Sequence, residues 1–437
     1  MELPYLLRVL GSLAAILILN YGTKRLTLSM VLGTVLIALW CGHSPVEIGR
    51  IAAHYSLSAN SVMLLFIVAQ VIWLSSQMSR TGTMKALVDT VKGLVSKRAA
   101  LALLPAIIGL LPMPGGAIFS APLVDDCDEA KVLSPLLKTQ INYWFRHMWE
   151  YWWPLYPGVI LAIEITGLSE LTFVALQLPM SLLSVLSGYL FLLRRVPIQV
   201  AVTSDNSGWR RLLTLISPIL LLIVVYTALK AVIAWLLPDT GTLPTPVLAI
   251  VHTKYFPMIL AIMASQIYLQ AKRPLGVDEW KKILRSGKTG SLVVLVLVIT
   301  VYGAFIQANL PDGSRVMDHV REELLGWGIP LLLVVMCVPF IAGLTTGIAV
   351  GMVGAAFPVV IGLIGNQPEP AVLLSTTVLA YAFGYMGMIL SPVHVCLIVT
   401  NRHFETEVAR SLFSLVKPVA LVLCGAILLF LTIRFWG

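Results

Sequence analysis

The chain has 437 residues, 58% of them hydrophobic and only 12% charged, with a mean hydropathy of +0.91. Soluble domains carry about 25% charge, so this composition leaves no room for a soluble catalytic domain and describes a polytopic membrane protein. The net charge of +9 does not make a nucleic-acid surface, because Lys and Arg cluster in short loops between apolar runs.

The N-terminus, MELPYLLRVLG, lacks a basic n-region and a small-residue cleavage site, so it predicts a retained first span. A span needs about 20 mostly apolar residues. Full spans are predicted near 4–22, 25–42, 61–78, 150–168 and 171–193, then near 213–237, 255–271, 290–307, 371–399 and 415–435. The stretches 82–96, 276–286 and 131–149 predict amphipathic helices at the membrane surface. Five cysteines (Cys41, Cys127, Cys337, Cys396, Cys424) lie far apart without metal-ligand spacing.

Two further apolar stretches are too long and too broken for one straight helix. They are LLPAIIGLLPMPGGAIFSAPLV, from Leu103 to Val124, and CVPFIAGLTTGIAVGMVGAAFPVV, from Cys337 to Val360. Each predicts two half-depth helices meeting at a tip, in hairpins over 99–124 and 329–364. Paired Gly/Pro-interrupted segments in corresponding places of two halves point to a transporter's binding site. Open backbone at membrane depth survives only where protein or a watery cavity surrounds it.

Loops 80–98, 194–211 and 272–288 are rich in Lys and Arg, whereas 43–60 and 308–327 are poor. The rich loops are expected on the cytoplasmic side, which places both termini outside. The first hairpin then enters from the cytoplasm and the second from outside. The halves also align. Ser61–Gln77 matches Ser291–Gln307 at an offset of 291 − 61 = 230, and PAIIGL at Pro105 matches PFIAGL at Pro339 at 339 − 105 = 234. Five spans plus a hairpin is an odd number of crossings, so the halves are expected to be inverted repeats: residues 1–195 and 213–437, joined by a cytoplasmic connector, 196–212.

Four breaks are then expected to converge. The first tip is Pro112-Met113-Pro114-Gly115-Gly116, where two prolines bar helix and two glycines permit left-handed backbone and close ligand approach. The next arm begins near Ala117, so its N–H groups would meet an anion at the tip. The second tip, Thr345-Thr346-Gly347, offers hydroxyl and carbonyl oxygens to a cation, or donors to a solute. The other breaks are Tyr156-Pro157-Gly158 and Ser391-Pro392 with His394, at an offset of 392 − 157 = 235. A proline alone usually means a kink. Two at the repeat offset are harder to dismiss.

His394 is the ionisable group expected deepest in the membrane, either carrying a coupling proton or capping a kink as a neutral ring. In the run from Asn142 to Trp153, an interfacial aromatic belt explains Trp144, Trp149, Trp152 and Trp153. Arg146, His147 and Glu150 are additional, as a gate or proton relay, with Arg146 and Glu150 spaced to pair on a helix. The acidic patch Asp125, Asp126, Asp128 and Glu129 reads as a solvated loop. There is no Walker A, GxSxG or HExxH string, and no enzyme is expected.

The strings LLPMPGGAIFSAPLVDD, NYWFRHMWEYWWPLYPG and GYMGMILSPVHVCLIVTNRHF resemble the DUF401 family of prokaryotic integral membrane proteins. That family is similar to the ion transporter superfamily of divalent-anion/sodium symporters, citrate and gluconate permeases and sodium/proton antiporters. The resemblance implies an all-α fold with inverted repeats, two re-entrant hairpins, a homodimeric scaffold, elevator-type movement and a place in the cytoplasmic (inner) membrane. It implies no substrate. PMPGG and LTTGI stand where the symporters carry a Ser-Asn-Thr signature. The expected function is secondary active transport of a small organic anion, coupled to Na+ or H+, with no other cofactor or metal. A cation/proton antiporter without organic substrate, and a membrane-embedded enzyme or assembly factor, are the alternatives.

Overall fold

The computed structural model describes residues 3–112, 116–128, 131–196, 206–236, 255–310, 313–365 and 367–436. Met113, Pro114 and Gly115 of the first tip, Glu129 of the acidic patch and most of the connector 196–212 lie outside the described residues. Among the described residues the secondary structure is helical, with one isolated bridge, Asn309–Arg315, and no strand.

The helices run in order α1 (Tyr5–Thr23), α2 (Leu26–Trp40), α3 (Pro45–Leu57), α4 (Ala59–Arg80), α5 (Thr83–Lys92), α6 (Lys97–Gly109), α7 (Ala117–Asp126), α8 (Pro135–Arg146), α9 (Pro157–Thr166) and α10 (Glu170–Phe191). There follow α11 (Asn206–Leu236), α12 (Phe256–Lys272), α13 (Val277–Leu284), α14 (Gly287–Ile306), α15 (Val316–Gly326), α16 (Leu331–Thr346), α17 (Ala349–Leu363), α18 (Pro370–Ile389), α19 (Val395–His403) and α20 (Val408–Trp436). Seven helices among the described residues are long and apolar enough to cross a membrane, which makes this a multi-pass membrane protein. Several helix starts are chemically marked. Ser58, Ser96, Ser134 and Ser169 each accept the N–H three residues on, at 3.1–3.3 Å, satisfying donors that hydrocarbon cannot.

Both predicted hairpins appear as helix pairs, α6–α7 and α16–α17, and the stretches 82–96 and 276–286 contain the helices α5 and α13. Two expectations are corrected. The predicted span 150–168 is helical only from Pro157, and the helix expected at the surface over 131–149 is α8, wholly buried from Lys138 to Arg146. The segment 147–156 between them is non-helical. In the span 371–399 the helix stops at Ile389 and resumes at Val395, around the break expected at Ser391-Pro392. The loops 43–60 and 308–327 contain α3 and α15.

The packing uses few kinds of contact. α1 lies on α2 and α11 on α12; α2 meets α14 and α12 meets α4; α5 meets α11 and α15 meets α1. α6 lies on α8 and α16 on α18, while α7 packs on α19 and α17 on α9. Exchanging the first ten helices for the second ten maps each of these contacts onto another of them. Glycines allow the tightest of them. An ideal Cβ on Gly109 would stand 1.8 Å from the carbonyl oxygen of Arg146, and one on Gly343 would stand 2.0 Å from that of Gly384. Small residues let membrane helices approach to backbone contact.

Candidate functional site: two helix breaks meeting at a buried polar centre

The first broken span leaves helix at Arg146 and passes through turns in which Glu150 N–H donates to the His147 carbonyl at 3.1 Å and Tyr156 N–H to the Trp153 carbonyl at 3.0 Å. The opposite half supplies further donors. The Tyr385 hydroxyl donates to the His147 carbonyl, and the Tyr381 hydroxyl donates to the Glu150 carbonyl at 2.8 Å. In return, the Tyr143 hydroxyl of α8 donates to the Ile389 carbonyl at 3.0 Å, at the second break. Buried backbone must be paired, and here tyrosines from across the molecule do it. Sequence reasoning missed these three tyrosines, whose partners lie 231–246 residues away.

At the second break, Ser391 Oγ donates to the Leu344 carbonyl at 2.7 Å and accepts Val393 N–H at 3.3 Å. His394 Nδ1 accepts Cys396 N–H at 3.1 Å, so the ring is the N-cap of α19. The lone pair used there leaves the neutral ring's proton on Nε2. Pro392 is exposed and Ser391 fully buried.

Gly347 ends α16 with φ +64°, the left-handed conformation that favours glycine. An ideal Cβ there would stand 3.0 Å from Ser391 Oγ and 3.1 Å from His394 N, so the second tip abuts the second break. The Thr345 and Thr346 hydroxyls donate back to the Ile341 and Ala342 carbonyls, both at 2.7 Å. Their protons are committed, and lone pairs are what they can offer.

At the first tip the structure describes Pro112, Gly116 and Ala117. Gly116 has φ −57° and ψ −13°, right-handed backbone that does not use glycine's freedom. The end of α6 is tied down by the Tyr156 hydroxyl, which donates to the Gly109 carbonyl. Pro157 is the first residue of α9, and an ideal Cβ on Gly158 would stand 2.8 Å from Ala349 Cβ. The N-termini of α9 and α17 therefore lie against each other.

Arg146, His147 and Glu150 are 2%, 1% and 8% exposed. The helical register that would pair Arg146 with Glu150 ends at Arg146. Glu150 instead brings Oε1 to 3.9 Å from His147 Nε2. His147 Nδ1 lies 2.6 Å from the Tyr143 carbonyl oxygen. A carbonyl only accepts, so Nδ1 carries the proton and Nε2 the lone pair. Arg146 Nη1 lies 3.4 Å from Cys396 Sγ. The His147 and His394 rings meet edge to face, centroids 4.8 Å apart, with Tyr143 against both.

His147, His394 and Cys396 bring ligand-type atoms within 4.8 Å of one another. Two of the three are otherwise engaged: the Nδ1 lone pair of His394 accepts a backbone N–H, and the Arg146 guanidinium lies 3.4 Å from the Cys396 thiol. The acidic patch is not simply solvated. Lys138 bonds Asp125 at 2.5 Å, Lys92 bonds Asp126 at 2.9 Å, and buried Asp128 accepts Val132 and Leu133 N–H at 3.0 and 3.1 Å.

These features define a multi-pass membrane protein with two broken helices meeting in a buried polar centre. The chain belongs to the family described as Protein of unknown function (DUF401), whose model matches residues 6–240 and 236–433. No curated protein matches it. Among solved structures it is similar to that of the Alcanivorax borkumensis YdaH transporter, at 14% identity over 89% of this chain and 88% of that one, with a TM-score of 0.45.

Proposed function

We propose that the protein is a secondary active transporter of a small organic anion, coupled to protons or sodium. The observation that carries this reading is the buried Arg146 guanidinium at the junction of the two breaks, next to the α19 N-terminus at Cys396. A buried cation beside helix N-termini favours an anion, and intramembrane charge marks solute pathways. Pro112 to Ala117, Tyr156 to Gly158, Thr345 to Gly347, Ser391, Pro392 and His394 are the proposed walls of the solute and ion site, with Arg146, His147 and Glu150 as its charged part.

Two inverted repeats, 1–195 and 213–437, underlie the reading. It is supported by the exchange symmetry of the helix contacts and by Pro135 and Pro370, which open α8 and α18 at an offset of 370 − 135 = 235. The hairpins α6–α7 and α16–α17 are read as re-entrant. Movement of the elevator type, a homodimeric scaffold and the prokaryotic inner membrane complete the proposal, as in the ion transporter superfamily. The contact between His147 and Glu150 favours one second reading, a cation/proton antiporter.

The test is a thermal-stability screen of the purified protein against organic anions, with and without sodium. A ligand at about 100 times its Kd adds about 2.7 kcal/mol. The reading expects one chemical class of organic anion to raise the Tm. A response to sodium alone, with no organic anion effective, would move the assignment to the antiporter.

A further inference from the structure

The geometry points to His147 and Glu150 as the group that takes up the coupling proton, which makes the transporter proposed above a proton symporter. The inference rests on that reading and specifies its driving ion. It begins from a cavity between α8, the first break, α10 and α18, lined in part by His147, Tyr151 and Ser184. His147 Nε2 has no hydrogen-bond partner among the described residues, and the Tyr151 and Ser184 hydroxyls beside it have none beyond each other. Three polar atoms with spare hydrogen-bonding capacity on one cavity suit internal water, since a buried water makes two to four hydrogen bonds. Water there would bring protons to the one ring nitrogen of His147 that can accept them.

His147 Nδ1–H is held by the Tyr143 carbonyl at 2.6 Å, which leaves Nε2 as the base. Glu150 Oε1 is 3.9 Å from it. Groups this close titrate as a unit, so a proton arriving on either atom belongs to the pair. His394 differs, because Cys396 N–H already occupies its Nδ1 lone pair.

The remaining groups around the pair set the charge. From α8 come Arg146 and Tyr143. The break supplies Tyr151 and Tyr156, and α18 supplies Tyr381 and Tyr385. Beyond the second break stand His394 and Cys396. Among these described groups, Arg146 and Glu150 carry charge when the histidines, tyrosines and thiol are neutral, and they sum to zero. A solute carboxylate at Arg146 makes the centre −1, and one proton on the His147–Glu150 pair returns it to zero. Buried charge is tolerated only when compensated. Anion and proton therefore bind with positive coupling, and each raises the affinity for the other by the same factor.

The test is pH-difference infrared spectroscopy of the full-length protein in lipid, without solute. A protonated-carboxyl C=O stretch is expected to grow in as the pH is lowered, to be lost in Glu150→Gln, and to appear at a different pH in His147→Gln. His54→Gln, on an exposed turn of α3, leaves it unchanged. A band that survives Glu150→Gln, or one indifferent to His147→Gln, overturns the assignment. So does the absence of any glutamate band that shifts on 13C-glutamate labelling of the unmutated protein, a measurement that needs no variant to fold. If the band behaves as expected while no organic anion binds, the proton site stands and the solute reading fails. A missing band alongside sodium-dependent anion binding gives the reverse.

Discussion

The imidazoles of His147 and His394 meet edge to face with centroids 4.8 Å apart, one beyond each broken helix. Their hydrogen bonds differ: His147 donates from Nδ1, whereas His394 accepts at Nδ1. The centre therefore holds two chemically distinct histidines, one with an open base and one spent on the backbone.

As a cap, His394 should be replaceable by a better cap. Substituting a good N-cap by Ala costs about 0.5–2 kcal/mol. His394→Ala is expected to destabilise by about that amount and His394→Asn by less, measured by thermal unfolding in detergent. Equal losses from both would show that the α19 cap is not what the ring contributes to stability.

Gly109 and Gly343 face backbone oxygens that an added Cβ would meet at 1.8 and 2.0 Å. No flexible side chain can give way there. Gly109→Ala and Gly343→Ala are expected to reduce folded yield sharply, as overpacking of about 1–3 kcal/mol or more would do. Gly49 and Gly290 have nothing within 4 Å, so Ala there should be neutral or stabilising by up to about 1 kcal/mol. Size-exclusion profiles of the four variants decide between these outcomes.

The two hairpin tips should respond unequally. Gly347 sits at φ +64° against Ser391 and His394, while Gly116 sits at φ −57°. Left-handed backbone costs an L-residue about 1–2 kcal/mol. Gly347→Ala is expected to lower the Tm clearly more than Gly116→Ala. The reverse order would contradict the described second tip.

The base of the first hairpin carries ion pairs of different burial. Lys138 is largely buried and bridges Asp125 to α8, whereas Asp126, paired with Lys92, is mostly exposed. Lys138→Ala should cost about 1–3 kcal/mol, because buried Asp128 also loses a cation 3.8 Å away. Asp126→Ala should stay within about 1 kcal/mol. Denaturant titration of the pair of variants measures the difference.

Much of this was legible in the sequence. Prolines and glycines marked the first hairpin and Thr345-Thr346-Gly347 the second, and the aligned glycines of PAIIGL and PFIAGL are Gly109 and Gly343, each of which closely approaches a backbone oxygen. The reading of 131–149 as a surface helix failed for a physical reason. α8 is polar because it is satisfied from far away: Asn142 donates to Thr400 at 2.9 Å, and the Thr139 and Thr406 hydroxyls lie 2.9 Å apart. Local periodicity cannot tell a polar face turned to water from one turned to a partner about 260 residues on. Pro135 and Pro370 carried the missing signal, since both open helices at the offset that Pro157 and Pro392 share.

The claim that Arg146 binds an anionic solute is tested most directly by uptake into proteoliposomes of the anion selected in the stability screen. An inward proton or sodium gradient should drive accumulation in the wild type. Arg146→Gln, checked for its folded profile, should lose it along with the anion-dependent rise in Tm. Accumulation that persists in Arg146→Gln at the wild-type rate would contradict the account.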